Sequence, residues 1–188
     1  MQNFRLFIAI KLELSGRNLL KVKTLHKSLQ SEDFRWESAE KAHVTLKFLG
    51  DTDISLIPEI EKKLSDIAEK NEAFPLIIGK LGVFHKGKRP NVLFAEIKSQ
   101  PNLQKLAEII DGEMNTMGFE KENRTFSPHL TLARIKFIKQ LTQFENTILN
   151  EKYFLHQTQE IKDFHLYRSI TKPEGAIYET LKTFNLQK

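Results

Sequence analysis

Two of the six histidines in this 188-residue chain sit in matching surroundings: Lys41-Ala-His43-Val-Thr45-Leu-Lys-Phe48-Leu-Gly50 and Ser127-Pro-His129-Leu-Thr131-Leu-Ala-Arg134. Both stretches read His-apolar-Thr-Leu, and the two histidines stand 86 positions apart, one in each half of the chain. An imidazole changes charge close to neutral pH, so such a pair can hold one base and one acid at the same time. In-line displacement at phosphorus asks for that division: one group takes a proton from attacking water, and another gives a proton to the departing oxygen on the opposite side. Each role is typically worth about 10²–10⁴ in rate. Neighbouring hydroxyls or cations that hold the phosphate oxygens add electrostatic stabilisation.

The elements that position these groups read as strands. Both motifs alternate polar and apolar residues in β-branched runs. Alternation puts His43 and Thr45 on one face with Val44 and Leu46 on the other, and treats His129 and Thr131 against Leu130 and Leu132 the same way. Residues two apart on a strand are roughly 6.5–7 Å apart, so an imidazole and a hydroxyl together can bracket one phosphate. By the same parity Lys47 shares the His43 face, whereas Phe48 and Arg134, each five after its histidine, point away unless a twist or a strand end intervenes.

The paired motifs, with Lys-Phe-Leu-Gly after the first and Phe-Ser-Pro before the second, resemble the two-histidine phosphoesterase superfamily. Within it the chain is most similar to the RNA 2',3'-cyclic phosphodiesterases, also called 2'-5' RNA ligases. The likeness extends over nearly the whole chain. It takes in Phe4-Arg-Leu-Phe-Ile-Ala-Ile10, Phe34-Arg-Trp36, Leu81-Gly-Val-Phe84, Arg89-Pro-Asn-Val-Leu93, Leu166-Tyr-Arg-Ser169 and Pro173-Glu-Gly-Ala-Ile-Tyr178. The resemblance implies a bilobal fold with two antiparallel sheets facing across a cleft, the His-x-Thr motifs on its floor. It implies that His43 is the general acid toward O3' and His129 the general base toward water, so that a 2'-phosphate results; the residues alone leave the two roles interchangeable. It further implies that Phe48 and Arg134 contact base and phosphate, an arrangement suited to stacking on an aromatic ring and a guanidinium. Core packing is the ordinary alternative for Phe48, and strand propensity is the ordinary alternative for Thr45 and Thr131.

Composition is compatible with this. A chain of 188 residues, 40% of them apolar, can build one compact core, and residues 1–188 are expected to form a single bilobal domain. A net charge of +5 mildly favours an anionic partner such as RNA. The absence of cysteine excludes disulfides, thiolate metal sites and a cysteine nucleophile. No apolar run is long enough to span a membrane, and the N-terminus lacks the pattern of a leader peptide, so a cytoplasmic monomer is expected, without metal or other cofactor. Three rivals are specific. A zinc site would need a third facing ligand that neither motif supplies. A non-enzymatic module would only hold RNA ends, and an enzyme of the same chemistry would act on a small cyclic nucleotide.

Periodicity and turn chemistry place the remaining elements. Strands are expected over Phe4–Ile10, Phe34–Trp36, the first motif as far as Gly50-Asp51, Phe74–Ile78, Leu81–Phe84, Asn91–Ile97, the second motif, Ile161–Arg168 and Ile177–Phe184. Helices are expected from Ser15 to Leu29, after Pro58, and from Asn102 to Met117, with Ile138–Leu149 either helical or an ordered loop. Strands from two similar halves, flanked by helices, make an α+β fold with a pseudo-two-fold duplicated motif. His85-Lys-Gly-Lys-Arg-Pro90 reads as a basic hairpin tip. His26, His85 and His156 read as exposed, and His165, with no companion threonine motif, as structural or exposed. Arg5 and Lys47 are weaker candidates for which surface charge is the ordinary reading.

Overall fold

The computed structural model describes residues 2–98, 100–151, 155–173 and 175–188. The chain folds into β1 (Asn3–Lys11), α1 (Gly16–Ser28), β2 (Asp33–Trp36), β3 (His43–Asp53), α2 (Ile57–Ala68), β4 (Phe74–Lys86), β5 (Arg89–Ile97), α3 (Pro101–Thr116), β6 (His129–Phe137), α4 (Leu141–Asn150), β7 (Gln157–Ile161), β8 (Asp163–Ile170) and β9 (Ile177–Asn185). Two wholly antiparallel sheets result. One has the order β3-β1-β8-β9 and the other β2-β6-β5-β4-β7. The fold is α+β, and the two motif strands β3 and β6 approach each other where the sheets meet.

Local chemistry accounts for the helices. Ser15 caps α1, its side chain accepting from the Asn18 amide at 3.4 Å. Pro58 sits in the first turn of α2, where a missing N–H costs nothing. Ile60, Leu64 and Ile67 line the buried face of α2, and Leu103, Leu106, Ile110 and Met114 that of α3; each such side chain contributes about 1.5–3 kcal/mol by leaving water. Gly118 ends this region with φ +91°, a left-handed conformation that favours glycine.

One continuous apolar cluster joins both sheets and all four helices. Strand β1 is buried on both faces: Leu6, Ile8 and Ile10 belong to that cluster, while Phe7 and Ala9 belong to a second, smaller one with Tyr167 and Tyr178.

Three expectations about the strands change. Strand β3 does not stop at Gly50 but runs to Asp53, because Gly50 takes φ +72° within it beside a register shift against β1. Phe74–Ile78 and Leu81–Phe84 are one strand, β4, whose register shifts between Ile78 and Leu81; its first half pairs with β7 and its second with β5. The strand expected over Ile161–Arg168 is two: Ile161 ends the additional strand β7, opposite Phe74 in the second sheet, and Asp163 begins β8 in the first. Between the last two strands the sequence offers Pro173-Glu-Gly175 as the connection of a hairpin-like pair; Glu174 lies outside the described residues.

Candidate active site

The motif strands repeat one burial pattern residue for residue. His43 and Thr45 are half-buried while Val44 and Leu46 are buried; His129 and Thr131 are half-buried while Leu130 and Leu132 are buried. Alternation then breaks in both at the same offset. In β3 Thr45 faces Ala9 and Lys47 faces Ile8, leaving Leu46 as the extra residue of a β-bulge. In β6 Thr131 faces Phe94 and Ala133 faces Leu93, leaving Leu132 extra.

The bulges reverse the parity of the residues that directly follow them. Phe48, 69% exposed, and Arg134, with an exposed side chain, return to the face of the histidines and threonines. Core packing is thereby excluded for Phe48. Lys47 goes the other way: it is 6% exposed, and its Nζ donates to Asp111 Oδ1 at 2.5 Å and to the Glu120 carbonyl at 2.7 Å. It is neither on the His43 face nor a surface charge.

The two imidazoles are held alike. His43 Nδ1 lies 2.6 Å from the Lys41 carbonyl and His129 Nδ1 lies 2.8 Å from the Ser127 carbonyl, in each case two residues back. A carbonyl can only accept, so Nδ1 carries the proton in both rings and Nε2 is left for chemistry. A neutral ring presents a lone pair there, and a charged ring presents an N–H. Aromatic side chains fix the ring planes. His43 packs against Phe7 at 5.4 Å and against Tyr178 edge-on at 5.3 Å; His129 packs against Phe84 at 4.7 Å and Phe94 at 5.5 Å between centroids. Phe84 and Phe94 stack on each other at 4.1 Å.

Burial lowers both imidazoles below their ordinary value, opposed in each by the carbonyl that Nδ1 meets. The Glu37 carboxylate also raises His43, while His129 and Arg134 lower it. Arg134 lowers His129 as well. The two rings are therefore in one electrostatic neighbourhood but not in equivalent ones.

Three members of that neighbourhood were not singled out from sequence. Glu37, directly after β2, lies 3.8 Å from Arg134 Nε. Arg35 pairs with Arg134 in register, and Gly175 comes so close to it that a Cβ there would lie 2.5 Å from Arg35 Nη2. Tyr178, at the start of β9, touches His43. Arg35 and Glu37 are two apart around Trp36, so strand alternation gave a signal for them as a pair.

The other histidines stay apart from this group. His26 is exposed and stacks on Trp36 at 4.6 Å, and His85 and His156 are exposed. His165 is 9% exposed, with Nδ1 2.9 Å from Thr183 Oγ1; its Nε2 lies 3.1 Å from Asp163 Oδ1 but off the line of a hydrogen bond. Arg5 is exposed, opposite Asp51 in β3. Among the described residues no three His, Asp, Glu or Cys side chains converge as a metal-ligand set, and no helix is long and apolar enough to cross a membrane.

Two sheets that each bring a His-x-Thr strand to a shared cleft define a two-histidine phosphoesterase architecture. A model of the LigT-like phosphoesterases matches residues 14–94 and 96–178. The chain belongs to the LigT-like phosphoesterase family and is an enzyme of that family. A protein of Archaeoglobus fulgidus named RNA 2',3'-cyclic phosphodiesterase is 28% identical over 181 residues, covering 96% of this chain and 99% of its own. One of the same name from Aquifex aeolicus is 31% identical over 159 residues, 81% of either chain. The fold is similar to that of a Thermus thermophilus protein, with a TM-score of 0.79 at 22% identity over 97% of this chain and 98% of that one. It is also similar to Escherichia coli LigT complexed with 3'-AMP, with a TM-score of 0.75 at 24% identity over the full length of both.

Proposed function

We propose that this protein opens a terminal 2',3'-cyclic phosphate on RNA to leave a 2'-phosphate, by acid–base catalysis without a metal. The observation that carries the proposal is the matched pair of imidazoles, each tied through Nδ1 to the carbonyl two residues back with Nε2 free. Relatives named RNA 2',3'-cyclic phosphodiesterase support the substrate.

In the proposed reaction His129 Nε2 takes a proton from water as the water oxygen bonds to phosphorus. The P–O3' bond breaks in line, and His43 Nε2–H gives its proton to O3'; the P–O2' bond survives. Glu37 supports this division, because it favours the charged form of His43. Thr45 and Thr131 hold phosphate oxygens, and Arg134 with Phe48 meets phosphate and base. With the 5'-hydroxyl of a second RNA in place of water, the same two proton transfers give 2'-5' ligation, the 5'-oxygen bonding to phosphorus as the P–O3' bond breaks and O3' takes the proton. Neither transfer calls for a Lewis acid. The 188 residues act as one bilobal monomer on cytoplasmic RNA ends.

The test is incubation in EDTA with a short RNA ending in a 2',3'-cyclic phosphate, separating 2'- from 3'-phosphate products. The wild type should make the 2'-phosphate alone, and His43→Ala and His129→Ala should each lose at least about a hundredfold in rate. An inert wild type, or variants that keep their activity, defeats the proposal. A cyclic mononucleotide run in competition separates an RNA enzyme from one for small nucleotides.

A further inference from the structure

The Tyr178 ring is fixed from three sides and its hydroxyl from none. Its neighbour in β8 is the small Ser169, which leaves the ring room to lie across toward β1. There it meets Phe7 edge-on at 4.9 Å and His43 edge-on at 5.3 Å, with Tyr167 at 6.5 Å. A phenylalanine would make all of these contacts. Among the described residues burial and nearby charges act on the hydroxyl but no hydrogen bond does, whereas the Tyr167 hydroxyl meets Thr180. The Tyr178 hydroxyl is also not sealed off, since the one buried side-chain polar atom without a partner among those residues is His165 Nε2.

A half-buried tyrosine hydroxyl ordinarily finds a partner. The charges that reach this one, from Glu37, Arg134 and Arg35, all belong to the opposite sheet or its edge. Tyr178 thus extends from the first sheet, over His43, toward the guanidinium groups of the second.

We propose that Tyr178 is a further substrate-contacting residue, its hydroxyl donating a hydrogen bond to a non-bridging oxygen of the phosphate held between His43 and His129. The proposal rests on the two-histidine reading above. Burial, then Glu37, hold the phenol above its ordinary range, so at neutral pH it is a proton-bearing donor and not a phenolate that would repel phosphate. The guanidinium groups of Arg134 and Arg35 draw the phosphate toward the same place from the other side.

Tyr178→Phe separates the hydroxyl from the ring. With a cyclic-phosphate RNA, kcat/KM should fall at least about tenfold, toward the loss seen when an oxyanion donor is removed. The thermal midpoint should not fall, and the pH profile should keep its shape, because His43 keeps its packing. In parallel, inorganic phosphate titrated against the ring signals of His43 and His129 by NMR should bind several-fold more weakly to the variant. That second arm judges Tyr178 even if the wild type proves inert on RNA, an outcome that would count against the substrate and not against the hydroxyl. Phosphate affinity at the wild-type value overturns the proposal. So does unchanged kcat/KM in an active enzyme, or a shifted pH profile, which would mean that Tyr178 acts through His43.

Discussion

Leu46 and Leu132 are each the extra residue of a β-bulge, and each lies three positions after the histidine of its strand. A bulge adds one residue on one side of a ladder, so the side chains that follow it, as far as the next irregularity, change face. Because the two bulges match, the strands stay symmetric about the cleft after the break as well as before it. Each strand offers an imidazole, a hydroxyl and then a larger group, Phe48 in one and Arg134 in the other. The duplication is thus a duplication of backbone irregularity as much as of residues.

Exposure of Phe48 on the histidine face predicts a clean separation of binding from folding. Phe48→Ala removes no core side chain, so its unfolding free energy should lie within about 0.5 kcal/mol of wild type. Its KM for an RNA end should rise roughly tenfold or more, as loss of a base–aromatic stack worth about 1–3 kcal/mol requires. Urea denaturation and steady-state kinetics on the same preparation check this. Lost stability with unchanged KM would return Phe48 to a packing role.

Lys47 predicts the opposite pattern. Its Nζ and Asp111 form an ion pair with side chains 5% and 16% exposed, the Glu120 carbonyl taking a second hydrogen bond. Lys47→Ala strands Asp111, whose carboxyl burial raises and Lys47 then lowers below its usual range. Breaking such a pair costs about 3–5 kcal/mol. The variant should lose stability of that order in urea, while the fraction that remains folded should turn over at the wild-type kcat. A fall in kcat without a fall in stability would place Lys47 in the site after all.

Much of the fold was legible because it rests on local signals. Ser15 at a cap, Pro58 in a first turn and the apolar stripe of α3 each declare themselves within a few residues. The candidate histidines and threonines were legible through duplication. The bulges were not, since a register is a relation between strands and the partners of β3 and β6 lie tens of residues away. Leu132-Ala133 did carry a trace, two apolar residues where alternation wants one; Leu46-Lys47 hid its counterpart behind a charge whose partner, Asp111, is 64 positions distant. Strand β7 escaped because Gln157-Thr-Gln-Glu is polar. Its glutamines instead bond across to the end of β1 and the residues after it: Gln159 Nε2 donates to the Lys11 carbonyl at 3.1 Å, and Gln157 Oε1 accepts from the Ser15 amide at 2.9 Å. Tyr178 was quoted as part of a run, but only the folded chain puts its ring on His43.

Gly82 is predicted to control one histidine and not the other. A Cβ at this position would lie 2.4 Å from Phe94 Cζ and 2.6 Å from Cε2. Phe94 cannot yield freely, being stacked on Phe84 and set against His129. Gly82→Ala should therefore cost about 1–3 kcal/mol through overpacking. It should also lower kcat by as much as about a hundredfold through misplacement of His129 on the order of 1 Å. NMR of the imidazole protons checks the route: the His129 signals should move and those of His43, packed on Phe7 and Tyr178 in the other sheet, should stay.

The two histidines should also respond differently to loss of Glu37. In the proposed reaction kcat/KM rises with pH as His129 loses its proton, and falls as His43 loses the proton it must donate. Burial lowers both groups, so the optimum should sit on the acid side of a free imidazole. Glu37 opposes that lowering at His43, as a negative charge favours the imidazolium. Glu37→Gln removes it, so His43 should give up its proton at lower pH and the falling limb should move toward acid. The rising limb, set by His129, should move less, and the bell should narrow with a loss of rate at neutral pH. A pH–rate profile of wild type and Glu37→Gln on the same cyclic-phosphate RNA measures both limbs. A shift confined to the rising limb would exchange the roles, making His43 the base and His129 the acid.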